Sequence, residues 1–221
     1  DLWLPTKLEE QIPLLEKDEK VGLVYSDAFL FNEKGKVKQS FESKEPFRGN
    51  IFSELLFCSF INTQTVVIRR NTLDGLDYWF DDRLTMVGDL DTYLRISYKW
   101  KVDYVDKPLA RYRVHRESVT YKEGKERLII ELDLMMENLN RVIGDFEYEY
   151  PEEVRHLKRR RDVQLSLLDW EKGDGKKART RLHCYVRDSV SYLILYFLTY
   201  LSYRYFFYPC YRLYTKNLMA D

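Results

Sequence analysis

The 221-residue chain is long enough for one full domain with an appendage and a sizeable buried core. Its 36 lysines and arginines balance 36 aspartates and glutamates, which argues against nucleic acid as a partner, because phosphate-binding domains carry a basic excess. Cys58, Cys184 and Cys210 are far apart and form no C-x-x-C pair, so they read as reduced cytosolic thiols and not as a disulfide framework or zinc site.

The chain opens at Asp1-Leu2-Trp3-Leu4-Pro5, without methionine or signal peptide and at what reads as a strand-to-helix junction. An N-terminally incomplete sequence is the expectation. From Thr6 to about Lys17 the signals are helical, with Pro5 at a first-turn position and Leu8, Ile12 and Leu15 at helical spacing. Val21 to Ser26 is a short apolar run that predicts a buried strand. Phe29 to Lys38 contains the turn sequence Asn32-Glu33-Lys34-Gly35 and predicts a hairpin-like excursion. Asn50 to Phe57 reads as a helix, and Thr63 to Arg70 as a β-branched strand. Asp89 to Lys99 reads as a helix with acidic residues in its first turn, where the helix dipole favours them. Val102 to Val105 and Leu109 to Val114 are two further strand candidates.

After Thr120 the character changes. Arg127 to Ile143, Pro151 to Glu171 and Lys176 to Asp188 predict three helices, the last two joined by Gly173-Asp174-Gly175. Ser189 to Tyr203 then carries no charge, and Arg204 interrupts an aromatic run that continues to Tyr211. The expected division is an α/β unit over 1–122, a helical extension over 123–188, and an aromatic-rich segment over 189–221.

Three constellations bear on chemistry. Asp89 and Asp91 stand two apart at a helix start; they read either as helix-terminal carboxylates or, for Asp89, as a general base able to take a proton from an attacking hydroxyl. Arg95, one turn after Asp91, is placed to pair with it. His115 follows a strand and is surrounded by Arg111, Arg113 and Arg116; it is either structural or a site residue beside a diphosphate, where imidazole can bind a divalent ion. Asp1 alone says little, but as the remnant of an acidic triplet it would offer oxygen to magnesium or manganese.

In this order, these segments resemble a family 2 glycosyltransferase of the GT-A fold. Asp1-Leu2-Trp3-Leu4-Pro5-Thr6-Lys7-Leu8-Glu9-Glu10-Gln11 resembles the stretch at and after the family's Asp-x-Asp metal motif. Val24-Tyr25-Ser26-Asp27 resembles the next core strand, and Thr65 to Asp77 the strand and turn before the acceptor helix. Gly88-Asp89-Leu90-Asp91-Thr92-Tyr93-Leu94-Arg95 resembles the Glu-Asp-x-Asp-x-x-x-Arg segment that holds the catalytic base, with Gly88 where the family usually has glutamate. Arg111-Tyr112-Arg113-Val114-His115-Arg116-Glu117-Ser118 resembles the closing motif near metal and diphosphate.

The resemblance covers roughly residues 1–120 and implies an inverting transfer from a nucleotide-diphosphate sugar to a hydroxyl of a glycan or lipid-linked acceptor. It implies Asp89 as base, Trp3, Asp91, Arg95 and Arg113 as substrate-binding residues, and Asp1 and His115 as ligands of a divalent ion, Mn or Mg. A nucleotide-binding half is expected to lie outside this chain, so that the fragment alone is expected to be inactive.

The C-terminal segment points to a membrane surface. As a helix, Ser189 to Tyr203 would be about 22 Å long, short of the roughly 30 Å hydrocarbon core. Tyr192, Tyr196, Tyr200 and Tyr203 recur at helical spacing, and tyrosine favours the membrane interface. Lys158-Arg159-Arg160-Arg161 and Lys176-Lys177 precede it, and basic clusters attract anionic lipid. The expectation is an enzyme peripheral to the cytoplasmic membrane face. The alternatives are internal packing of the aromatic helix, a non-catalytic membrane- or partner-binding module, and another phosphate-handling α/β enzyme such as a nucleotidyltransferase.

Overall fold

The computed structural model describes residues 1–32, 35, 37–41, 46–115 and 124–207. Arg116-Glu117-Ser118 of the closing motif and the aromatic run from 208 onward lie outside the described residues.

A mixed sheet forms the centre. Strand β2 (Val21–Phe31) runs parallel to β5 (Lys101–Arg113) along most of its length. The short β1 (Leu2–Trp3) adds antiparallel to the far edge of β5, Leu2 opposite Arg111 and Trp3 opposite Ala110. On the other edge of β2, β3 (Val37–Gln39) and β4 (Val67–Ile68) pair antiparallel. The predicted excursion after Phe29 is therefore the β2–β3 pairing.

Successive strand residues point to opposite faces, and both faces are covered. Leu15 of α1 (Lys7–Lys17) packs with Val21, Val24, Val105 and Leu109 on one face. On the other, Leu23, Tyr25, Val102 and Tyr104 pack against α2 (Phe52–Phe57), α4 (Gly88–Lys99) and α5 (Lys125–Ile143). Leu132, Met135 and Leu139 of α5 belong to this same core, so the main core continues past residue 122. Gly22 is required by closeness: a Cβ there would meet Trp100 Cβ at 2.8 Å and Thr72 Oγ1 at 2.9 Å.

Three elements differ from expectation. Val102–Val105 and Leu109–Val114 are one strand, β5, which carries Pro108 through a register irregularity opposite Ser26, Asp27 and Ala28. Proline donates no ladder hydrogen bond, and a bulge accommodates it; opposite it, the Asp27 carboxylate accepts from Ala28 N (2.7 Å), Phe41 N (3.0 Å) and Gln39 Nε2 (2.6 Å). Thr63–Arg70 is not one strand: it is a 3₁₀ turn (Thr63–Thr65), the two-residue β4, and α3 (Arg70–Asp74). Thr65 Oγ1 donates to Asn62 O at 2.7 Å, a local bond that competes with a sheet ladder.

The third difference is C-terminal. Beyond α5 come α6 (Phe146–Glu149), α7 (Pro151–Glu171) with proline at its first turn, α8 (Gly175–Leu182), and α9, which spans only Val190–Leu198. A Cβ on Gly175 would collide with the carbonyl of Thr199, so glycine lets the end of α9 close onto the start of α8. Among the described residues no helix is long and apolar enough to cross a membrane.

Candidate functional site

The 3₁₀ turn Thr63–Thr65 joins the two acidic signals of the sequence. Thr63 Oγ1 donates to Asp89 Oδ2, and the next residue, Gln64, donates from Nε2 to Asp1 Oδ2 at 3.1 Å. Asp89 Oδ1 also accepts from Leu90 N at 2.7 Å, so its carboxylate is held in the first turn of α4. Asp1 Oδ1 accepts from Arg113 N at 2.9 Å, which ties the chain start to the end of β5. Asp1 and Asp89 are thus linked through one short turn, and the backbone of Arg113 joins them through Asp1.

That turn is itself anchored from below by α1. Gln11 Nε2 donates to Thr65 O at 2.7 Å and to Val24 O at 3.2 Å. Lys7, one helical turn earlier, donates from Nζ to Val66 O at 3.3 Å. Lys7 is almost completely buried, and burial pushes its ammonium down to about 8. Its Nζ lies 4.5 Å from the centroid of the Trp3 ring, and Trp3 itself is exposed.

The basic residues gather at the same end of the sheet. Arg111 and Arg113, two apart on one face of β5, lie 5.8 Å and 5.5 Å from the Phe31 ring centroid. His115 is half-buried two residues beyond β5. Among the described residues no group of three or more His, Cys, Asp and Glu is gathered to hold a metal ion. Asp1 and His115 offer one carboxylate and one imidazole. Two such donors do not by themselves close a cation site; magnesium and manganese sites with few protein ligands take the rest of their oxygens from water or bound phosphates. Asp1 retains lone pairs beyond the two hydrogen bonds it accepts.

Asp91 and Arg95 lie below the surface, under the first turn of α4. Both are fully buried, and Arg95 Nε donates to Asp91 Oδ2 at 2.9 Å. Arg95 also donates to Tyr78 O (2.5 Å) and Trp79 O (3.0 Å), with its guanidinium 3.9 Å from the Tyr78 ring centroid. Asp91 Oδ1 accepts from Asn138 Nδ2 of α5 at 3.1 Å. This pair fixes the loop before α4, and through it the first turn that carries Asp89.

A second carboxylate does comparable work. Glu131 of α5 accepts from Thr85 Oγ1 (2.7 Å), Met86 N (2.7 Å), Val87 N (3.1 Å) and Arg127 Nε (2.6 Å). Burial alone would raise its carboxyl, but these donors outweigh it and hold it below the ordinary range. Gly88 at the start of α4 is not forced by space, since a Cβ there would stand 3.5 Å from Leu84 Cβ, ordinary contact.

Sequence reading missed Thr63, Gln64, Lys7, Glu131 and Asn138. The threonines carried a usable signal, because Asn62 before Thr63-Gln64-Thr65 is a turn-capping composition. Two cavities, of about 440 and 320 Å³, are in the helical C-terminal part, and neither is lined by Asp1, Asp89 or His115.

No family model matches the chain. Over 131 residues it is 24% identical to a protein of Methanocaldococcus jannaschii named as an uncharacterized glycosyltransferase, a stretch covering 58% of this chain. The match spans less than half, 44%, of that relative's own length. Over this stretch, then, the chain is similar to a glycosyltransferase, on a mixed α/β fold with a helical C-terminal part.

Proposed function

We propose that the chain carries the acceptor- and diphosphate-facing part of an inverting glycosyltransferase of the GT-A type, similar to family 2. The reading rests above all on one observation: Thr63 and Gln64, adjacent in sequence, bind the carboxylates of Asp89 and Asp1. The distant likeness to a glycosyltransferase supports the same class.

In this reaction Asp89 accepts the proton of an acceptor hydroxyl, belonging to a glycan or a lipid-linked sugar. The hydroxyl oxygen attacks the anomeric carbon as the bond from that carbon to the nucleoside diphosphate breaks. The electron pair leaves with the diphosphate, and the configuration inverts. Thr63 and the Leu90 amide hold the Asp89 carboxylate in one orientation, so less of its freedom is lost as the transition state forms. Arg113, on the strand end that also holds Asp1, supplies positive charge to the departing diphosphate, and fixed charge at a leaving group is a large contribution to catalysis. Asp1 and His115 are the residues that would hold a divalent Mn or Mg, which when bound neutralises diphosphate charge.

Asp91 and Arg95 act here as positioning residues beneath the site, a role that follows from their burial. The test is turnover of a panel of nucleotide sugars by the intact protein, with and without manganese, beside Asp89→Asn. Turnover of one donor, reduced by about 10²–10⁴-fold in the variant, is the expected result. Equal turnover in the two proteins removes Asp89 as the base, and turnover of none of the donors removes the transferase.

A further inference from the structure

Helix α9 carries nine residues without a charged side chain, and none of them is buried. An amphipathic helix ordinarily turns its apolar stripe inward. Here Leu195 and Leu198 lean on the small cluster of Trp170, Ala178 and Tyr203, while the opposite side faces outward. Val190 is 72% exposed, Ile194 54% and Phe197 59%. These positions recur once per helical turn, and Leu201 and Tyr200 extend the stripe past the helix end. A contiguous exposed apolar stripe of this kind marks an interaction surface.

Charge around the stripe selects its occupant. The whole chain is neutral, yet residues 172–207 hold seven lysines and arginines against two aspartates. Lys172 is paired with Glu126, and Lys177 and Arg181 with Asp169, so the positive charge beside the stripe is that of Lys176, Arg179 and Arg204. Both aspartates are engaged: Asp174 accepts from Lys177 N at 2.9 Å, and Asp188 is paired with Arg155 and Arg159 at 2.9 and 3.1 Å. Arg179 stacks on Tyr200 at 3.8 Å from the ring centroid, and Arg204 and Tyr205 are exposed beside it. The 440 Å³ cavity shares Tyr200 and Leu201 with the stripe and is lined by Lys176, Arg179 and Arg204; its one carboxylate, Glu171, is paired with Lys125 at 2.6 Å. A second copy of the chain would bring this positive rim against itself, a costly juxtaposition.

We propose that this face seats the protein on the surface of an anionic phospholipid bilayer. Helix α9, about 14 Å long at 1.5 Å per residue, lies in the interface plane, with Val190, Ile194 and Phe197 toward the acyl chains. Lys176, Arg179 and Arg204 face the headgroup phosphates, and the tyrosines mark the boundary, the arrangement of in-plane amphipathic helices. The inference is independent of the transferase reading, because vesicle binding involves no sugar chemistry.

The test is co-sedimentation of the 221-residue chain with phosphatidylcholine vesicles and with phosphatidylcholine–phosphatidylglycerol vesicles. Binding only to the anionic vesicles, weakened by salt, is expected. Phe197→Glu and, independently, Val190→Glu should each reduce it at least tenfold. Lys176→Glu with Arg204→Glu should do the same, since each basic group near the surface contributes about fivefold. Circular dichroism checks that each variant keeps its fold, and the use of two apolar sites protects the test against the failure of one. No binding to anionic vesicles overturns the proposal, as does binding unchanged by the apolar variants. Dimerisation in light scattering that Phe197→Glu abolishes, without vesicle binding, overturns it in favour of a second copy. Binding gained only on removal of residues 208–221 overturns it in favour of those residues as the native cover.

Discussion

Thr63 and Asp89 lie 26 positions apart in the chain and are joined by a hydrogen bond from the threonine hydroxyl to a carboxylate oxygen. The bond ties the turn between α2 and β4 to the first turn of α4. If Asp89 is the base, Thr63 governs where its carboxylate points. Thr63→Val keeps the shape of the side chain and removes the donor. It should lower kcat about tenfold with little change in melting temperature, the order expected for one hydrogen bond to a charged group. Steady-state kinetics on the intact protein reads it, and an unchanged kcat would separate Thr63 from the reaction.

The ion pair beneath the site leads to a stability prediction. Asp91 and Arg95 are 0% and 1% exposed. Arg95→Met leaves the Asp91 carboxylate buried with Asn138 but without its counter-charge, which should cost about 3–5 kcal/mol. Adding Asp91→Leu removes the stranded charge and should recover a large part of that loss, giving a strongly non-additive double-mutant cycle. Urea denaturation measures all three variants. Additive losses would mean that the two side chains stabilise the fold separately.

Much of this arrangement was readable from sequence because local signals and global packing agree. Lys7–Lys17, Gly88–Lys99 and Pro151–Glu171 are helices where spacing and terminal residues put them, and Val21-Gly22-Leu23-Val24-Tyr25 is the central strand. The pairing of Arg95 with Asp91 followed from helical spacing alone. What escaped was set by distant partners. Glu131 and Asn138 are unremarkable polar residues of an amphipathic helix until α5 packs on the loop before α4. Thr63-Gln64-Thr65 looks β-branched and strand-like, but the Thr65 amide donates to Asn62 O and Thr65 O accepts from the Gln11 side chain, which takes both backbone groups that a ladder would use. At the C-terminus composition gave the apolar character of α9, while its end at Leu198, where Thr199 closes on Gly175, depends on a contact with a distant segment.

Glu131 makes α5 part of the candidate site's support. Its two oxygens accept from Thr85, Met86, Val87 and Arg127. Glu131→Ala strands two amide donors just ahead of α4, and unpaired donors of this kind cost about 1–3 kcal/mol each. The expected loss is on the order of 3 kcal/mol. Glu131→Gln keeps an acceptor for some of these donors and should lose less than half as much. Equal losses from the two substitutions, measured by chemical denaturation, would show that the charge and not the acceptor geometry is what matters.

Lys7 gives the fold a pH dependence on the alkaline side. Its ordinary value of 10.5 is pushed down to about 8 by burial, beside the Trp3 ring and the Val66 carbonyl. Below about pH 8 the folded and unfolded chains both hold the proton, and the cost of a desolvated ammonium is fully present. Between about 8 and 10.5 the unfolded chain still holds a proton that the folded one has released, so this residue makes stability rise with pH across that window. At 1.36 kcal/mol for each tenfold difference in proton affinity, the gain is on the order of 3 kcal/mol. Lys7→Met has no such proton. The stability of the natural chain relative to Lys7→Met should therefore improve by about that amount from pH 8 to 10.5, measured by paired urea titrations. Because both proteins share every other titrating group, a constant difference between them would mean that the Lys7 ammonium is solvated in the folded protein.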